Sequence, residues 1–215
     1  MDVLSLVQKS PGLPPGPTSA TVSNAFPTHN ENKMTTLYDI PLTRIDGTPG
    51  NLADYRGNVL LVINVASRCG LTPQYAGLEA LYQARREQGL EVLGFPANDF
   101  KGQEPGTEEE IREFCSTTYD VHFPLFAKIS VIGEEQHPLY TRLTAQQPSA
   151  IGDDPFRERL KSFGVSPENP ADVLWNFEKF LIGRHGEVVA RFAPDIAADD
   201  PRLVSAIEAE LARTA

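Results

Sequence analysis

The stretch that most restricts the fold runs from Val59 to Val65 and continues directly into Ala66-Ser67-Arg68-Cys69-Gly70. Val59 to Val65 is an apolar run of strand length, rich in β-branched residues, as expected of a buried strand. It breaks at Ala66-Ser67 and delivers a cysteine just before Thr72-Pro73, an N-cap residue followed by a proline at the first helical position. Leu78, Leu81 and Tyr82 follow at helical spacing, Gly89 supplies a C-cap, and Leu90 to Phe95 is a second apolar run. Strand, helix and strand at these short spacings form a βαβ unit with parallel strands and a right-handed crossover. A thiol between a strand end and a helix N-terminus is well placed for chemistry. The helix dipole and its free N–H groups favour a thiolate there, and Arg68 adds a neighbouring cation. A lone cysteine is otherwise a small buried hydrophobe. Position alone leaves the two readings even.

The remaining chain supplies the other elements. Residues 1–33 scatter Pro11, Pro14, Pro15, Pro17 and Pro27 among Gly, Ser, Thr and Asn, and so read as a disordered N-terminal extension. The first residues have no basic n-region and too short an apolar run for a secretory signal. Met34 sits where the globular pattern begins, which sets the domain at 34–215. Ile40 to Gly50 reads as a hairpin around Asp46-Gly47. Thr107-Glu108-Glu109-Glu110 is a capping box opening a helix through Ile111, Phe114 and Cys115 to about Thr118. A further helix is expected from Pro138 through Tyr140 and Leu143. Gln147 to Asp172 reads as a long loop with one helical piece around Phe156 to Phe163. Phe177 to Ile182 and Glu187 to Phe192 are strands of an antiparallel hairpin across Gly183-Arg184-His185-Gly186. Asp199-Asp200-Pro201 caps a last helix carrying Leu203, Ile207 and Leu211 on one face. The expectation is an α/β chain: a mixed β-sheet flanked by helices, the thioredoxin-like arrangement.

Composition narrows the function. A net charge of −10 argues against a nucleic-acid surface and against anionic membranes. No apolar run approaches the length of a bilayer span. Two cysteines make no disulfide framework and fit a cytoplasmic location, and four scattered histidines suggest no metal site. No cofactor is expected.

Cys69 is not half of a C-x-x-C pair, because Thr72 occupies the second position. This weakens a disulfide reductase or isomerase and points to a single attacking thiol. Peroxide reduction suits it: a thiolate attacks the O–O bond, becomes a sulfenic acid and is then reduced by another thiol. Three motifs carry a resemblance at this point. They are Asn64-Val65-Ala66-Ser67-Arg68-Cys69-Gly70, Gly94-Phe95-Pro96-Ala97-Asn98-Asp99-Phe100 with Gln103-Glu104-Pro105-Gly106, and Trp175-Asn176-Phe177-Glu178-Lys179-Phe180-Leu181. In this order they resemble the signatures of glutathione peroxidases, from about Leu37 to the C-terminus.

The resemblance implies roles. Cys69 stands at the selenocysteine or peroxidatic cysteine position, and Trp175 and Asn176 match the pair whose N–H groups point at it. Such donors stabilise a thiolate and the oxyanion leaving from the peroxide. Ala97 replaces a cysteine that many members carry. Asp99 is read at the family's glutamine position, where an ionised carboxylate repels a thiolate. It is held protonated, or orients a water or Lys101, or turns away. Cys115 is the possible resolving cysteine, one position earlier than usual, with Ser116 at the common place; a buried inert thiol is the alternative. The substrates implied are hydrogen peroxide and organic hydroperoxides, with thioredoxin or glutathione as reductant. Arg68 and Arg191 are the candidate cations for glutathione carboxylates. The length of Tyr140 to Leu174 resembles that of oligomeric members, implying a homodimer or homotetramer and narrower access for bulky lipid hydroperoxides. The competing reading is a thioredoxin-fold peroxide sensor or low-activity binding module with a degraded site.

Overall fold

In the computed structural model, residues 36–167 and 169–214 are described; the expected extension at 1–33 lies outside them. A short antiparallel pair, β1 (Leu42–Thr43) and β2 (Pro49–Gly50), turns at Gly47, whose φ is +83°. The central strand β3 (Val59–Val65) is buried along its whole length. The chain then runs through α1 (Gln74–Arg85), β4 (Leu90–Pro96), α2 (Glu108–Tyr119), α3 (Pro138–Gln146) and α4 (Asp153–Ser162). It closes with β5 (Lys179–Ile182), β6 (Val188–Phe192) and α5 (Pro201–Leu211).

The main sheet has the order β4-β3-β5-β6. Strands β3 and β4 are parallel from Val59 opposite Leu90 to Val65 opposite Pro96. β5 runs antiparallel to both β3 and β6. Alternate residues of β3 therefore feed two cores. Leu61, Ile63 and Val65 pack with Tyr75 and Leu78 of α1, Ile111 of α2, and Leu203 and Ile207 of α5. Leu60 and Val62 pack with Leu139, Tyr140 and Leu143 of α3 and with the N-terminal segment Leu37 to Leu42. A fully buried strand needs apolar residues on both faces, which is why β3 reads as a continuous run. This is the mixed, helix-flanked, thioredoxin-like sheet that the sequence implies.

Three elements differ from expectation, each near the cysteine. α1 begins at Gln74 and has no side-chain cap, because Thr72 is used otherwise, as described below. The helical piece expected around Phe156 to Phe163 is α4, which starts earlier, at Asp153, runs ten residues and buries Phe156 and Leu160 against Leu174. β5 starts at Lys179, because Phe177 has a left-handed backbone with φ +69°. The capping box of α2 forms as read: the Thr107 hydroxyl accepts from Glu110 N at 3.3 Å, and Glu110 accepts from Thr107 N at 2.8 Å.

Candidate active site

At the C-terminal end of β3 the chain folds into tight turns before α1. The Thr72 hydroxyl donates to Ala66 O at 2.8 Å and accepts from Cys69 N at 3.0 Å. One side chain thus closes the cysteine loop from both ends. Thr72 N also donates to Cys69 O at 3.0 Å. Within this turn Leu71 N donates to Cys69 Sγ at 3.4 Å. A backbone N–H aimed at sulfur is the kind of donor that supports a thiolate. Cys69 is 8% exposed, enough for a small reagent to reach it.

A second turn faces this one. Asn64, inside the first motif, ties the two together: its Nδ2 donates to Trp175 O at 3.0 Å, and its Oδ1 accepts from Glu178 N at 3.2 Å. Phe177 N adds a bond to Asn64 O at 2.6 Å. These bonds hold Phe177 in its left-handed conformation, at a cost of about 1–2 kcal/mol. The bend turns Trp175 and Asn176 away from the strand path. Asn176 is fully buried and its Nδ2 donates to Gln103 Oε1 at 2.9 Å. Gln103 in turn accepts from Arg68 N through its backbone oxygen at 3.0 Å. Gln103 therefore joins the Asn176 turn to the chain just before Cys69. Gln103 lies in the second motif and Asn64 in the first, and their side-chain amides are the one signal in the sequence that points to these roles.

Cys69 and Trp175 line the same cavity of about 370 Å³. Leu71, Phe156, Leu160, Phe163 and Val165 make its walls apolar, so α4 supplies much of one side. Trp175 packs on Phe100 with ring centroids 5.2 Å apart, and the Lys101 ammonium lies 5.9 Å from its centroid. Arg159 also lines the cavity, with its guanidinium paired to Asp195.

Three residues singled out from the sequence stand elsewhere. Asp99 turns away: its Oδ1 accepts from Ser130 Oγ at 2.7 Å and its Oδ2 from Val131 N at 2.9 Å. Of the three readings of Asp99, the geometry is that of a carboxylate turned away, and the amide that meets Asn176 belongs to Gln103. Arg191 is 1% exposed and pairs with the buried Glu178. Its guanidinium also donates to Gln147 O, Pro148 O, Ala171 O and Asp172 O. It is a buckle on the segment before Trp175, with no free donor face for a glutathione carboxylate. Arg68 is exposed and lines a separate cavity of about 220 Å³ with Glu104 and Phe114. Burial pushes the Glu104 carboxyl upward, while the hydroxyl of Ser67, donating to it at 3.0 Å, pulls it back.

Cys115 is 1% exposed, on the core-facing side of α2, in the same apolar cluster as Cys69. Both thiols are free. Burial pushes the Cys115 thiol up to about 11; the Tyr75 hydroxyl opposes that rise and Glu104 adds to it. Folded α2 thus holds Cys115 as a protonated thiol at neutral pH. Among the described residues no group of His, Cys, Asp and Glu is arranged to hold a metal ion.

Residues 37–144 match the family model for glutathione peroxidase. The Escherichia coli thioredoxin/glutathione peroxidase BtuE is 50% identical over 171 residues, covering 79% of this chain and 93% of that protein. The chain belongs to the glutathione peroxidase family. The Synechocystis hydroperoxy fatty acid reductase gpx1 is 46% identical over 175 residues, covering 79% of this chain and 96% of that one. The crystal structure of T. cruzi GPX1 superposes with a TM-score of 0.60 at 33% identity, covering 82% of this chain and 96% of that one. Family membership makes this glutathione peroxidase an enzyme, a thiol-dependent peroxidase acting on hydroperoxides, and sets aside the sensor or binding-module reading.

Proposed function

We propose that Cys69 is the peroxidatic thiol, supported by Trp175, Asn176 and Gln103. The observation that carries this is the shared cavity of Cys69 and Trp175, with a backbone N–H already donated to the sulfur. The Cys69 thiolate attacks one oxygen of the hydroperoxide. An S–O bond forms, the O–O bond breaks, and the alcohol or water leaves with a proton. Cys69 becomes a sulfenic acid, a two-electron oxidation. Trp175 and Asn176 contribute N–H donors near the developing oxyanion. Gln103 positions Asn176.

The sulfenic acid is resolved by Cys115. The thiol attacks the Cys69 sulfur, water leaves, and a disulfide forms that thioredoxin or a related dithiol reduces. Buried Cys115 needs local unwinding of α2 for this step. Support for a dithiol reductant over glutathione comes from Arg191, whose guanidinium is committed inside the fold. The Escherichia coli relative BtuE is named for both reductants. The domain is 34–215, and its two unpaired thiols favour the cytoplasm. No helix among the described residues is long and apolar enough to cross a membrane. A homodimer or homotetramer is the assembly proposed, on the length of the Tyr140–Leu174 segment. A clean monomer in sedimentation overturns the assembly.

Stopped-flow mixing of reduced protein with peroxide, monitored by Trp175 fluorescence, tests the function. Trp175 is the single tryptophan of the chain. A fast change, turnover with thioredoxin and a Cys69–Cys115 disulfide in non-reducing mass spectrometry support the two-cysteine cycle. Turnover without that disulfide removes Cys115 from the cycle; no peroxide-dependent change removes Cys69.

A further inference from the structure

Lys179 is a buried cation that the chemistry above does not use. It is 0% exposed, although lysine is almost never fully buried unless its charge is met. Its Nζ donates to Gln74 Oε1 at 2.7 Å, Pro194 O at 2.9 Å and Ile196 O at 2.6 Å. Three neutral oxygens thus receive the three N–H groups of one ammonium. Gln74 closes a ring with it by donating from Nε2 to Pro194 O at 2.8 Å.

The segments it joins are those that carry the two halves of the site. Lys179 is the first residue of β5, opposite Ile63 of β3, and comes two residues after Phe177, whose bend turns out Trp175 and Asn176. Gln74 is the first residue of α1. A short line of hydrogen bonds runs from Gln74 to the sulfur. Gln74 N donates to Leu71 O at 2.9 Å, and Leu71 N donates to Cys69 Sγ at 3.4 Å. The ammonium therefore connects the Trp175–Asn176 turn to the thiol through α1, by a route separate from the tie that Asn64 makes.

We propose that Lys179 is a positioning residue for the peroxide step: its ammonium fixes the first turn of α1, and with it the Cys69 loop, against the turn that carries Trp175 and Asn176. The inference rests on Cys69 as the peroxidatic thiol. Only the charged form does this in full. A neutral amine has two N–H groups for three acceptors, so one of the ties to Gln74, Pro194 or Ile196 is released. Burial draws the Lys179 ammonium down to about 7, against Glu178 of the same segment, Asp195 of the β6–α5 connection and Asp200 at the cap of α5, which all favour the charge. The side chain facing it from α1 is the neutral Gln74, and its strand partners are Ile63 and Phe192. Two ionisations then act with opposite sign. Loss of the Cys69 proton speeds attack on peroxide, and loss of the Lys179 proton slows it.

The test is the second-order rate of Cys69 oxidation by hydrogen peroxide, followed through Trp175 fluorescence in stopped flow between about pH 5 and about pH 9. The unaltered enzyme gives a bell-shaped profile whose alkaline limb falls near 7. Lys179→Met, of similar length and without charge, is slower by about tenfold at the acid end and lacks the alkaline limb; a 1 Å misplacement costs up to about 10²-fold. Gln74→Glu keeps the lysine and moves the limb upward by about one pH unit or more, because a carboxylate beside the ammonium holds its proton. The donor that this variant withdraws from Pro194 is missing at every pH, so it lowers the whole profile without moving the limb. A merely structural role slows both variants and leaves the limb where it was, and that result overturns the proposal. So does an unaltered enzyme whose rate does not fall between pH 7 and about pH 9. Where Lys179→Met fails to fold, Gln74→Glu decides alone. Absence of any peroxide-dependent change in the unaltered enzyme is a different result, and it overturns the assignment of Cys69.

Discussion

Two neighbouring polar residues of one motif have opposite duties. Gln103 links the Asn176 side chain to the backbone of Arg68, while Asp99 spends both carboxylate oxygens on Ser130 and Val131. Gln103→Ala frees Asn176 and is expected to slow peroxide oxidation of Cys69 by about 10²-fold, the scale for losing an aligned amide. Asp99→Ala is expected to keep that rate within about threefold and to cost about 1–3 kcal/mol of stability, because a buried-side N–H loses its acceptor. Stopped-flow traces and denaturant midpoints on the two variants separate the effects. A large rate loss in Asp99→Ala would return that carboxylate to the site.

The turn that presents Trp175 and Asn176 depends on two buried ties. Asn64 holds it to β3, and the Arg191–Glu178 pair holds the segment before it to β5 and β6. Glu178 also accepts from Leu174 N at 2.6 Å, one residue before the tryptophan. Removing one member leaves a buried charge alone, so Arg191→Met is expected to cost about 3–5 kcal/mol. Arg191→Lys does not restore the stability, because a single ammonium cannot reproduce the planar fork that reaches four carbonyls and Glu178. Thermal melts of both variants check this. At α2, resolution requires both unwinding and loss of the Cys115 proton. With the thiol raised to about 11 in the folded helix, the rate of disulfide formation is expected to climb with pH across the range 7 to about 9. A pH-independent rate, measured by quenched mass spectrometry, would mean that opening of α2 and not ionisation limits the step.

Several core groups hold their protons more tightly folded than unfolded. Burial raises Cys115 to about 11 and lifts Tyr75 and Tyr140 well above the ordinary phenol range. Their favourable contribution is complete below about pH 9 and is lost as pH rises toward and beyond about 11. The folded chain is therefore expected to lose stability on the alkaline side. Cys115→Ala should flatten that slope, by at most about 2–3 kcal/mol over the interval, even though the variant is less stable at neutral pH from its cavity. Urea midpoints between pH 7 and 11 test it; equal slopes for the two proteins would remove Cys115 from the effect.

Patterns local in the chain were legible from the sequence. Val59 to Val65 is apolar on both faces because β3 is covered on both sides, and the Thr107 capping box needs only four residues. Cys69, Trp175 and Asn176 were readable through long motifs, and the structure brings the first two to one cavity. What lay beyond the sequence depends on partners distant in the chain. Arg191 reads as a free cation until Glu178 and four carbonyls are seen around it. Thr72 reads as a helix cap until Ala66 and Cys69 claim its hydroxyl. Asp99 and Gln103 are distinguished only by what stands opposite, Ser130 and Val131 for one and Asn176 for the other. A side chain's type sets which hydrogen bonds and charges it offers. The tertiary fold decides which group receives them, and so whether the residue holds the loop or serves the thiol.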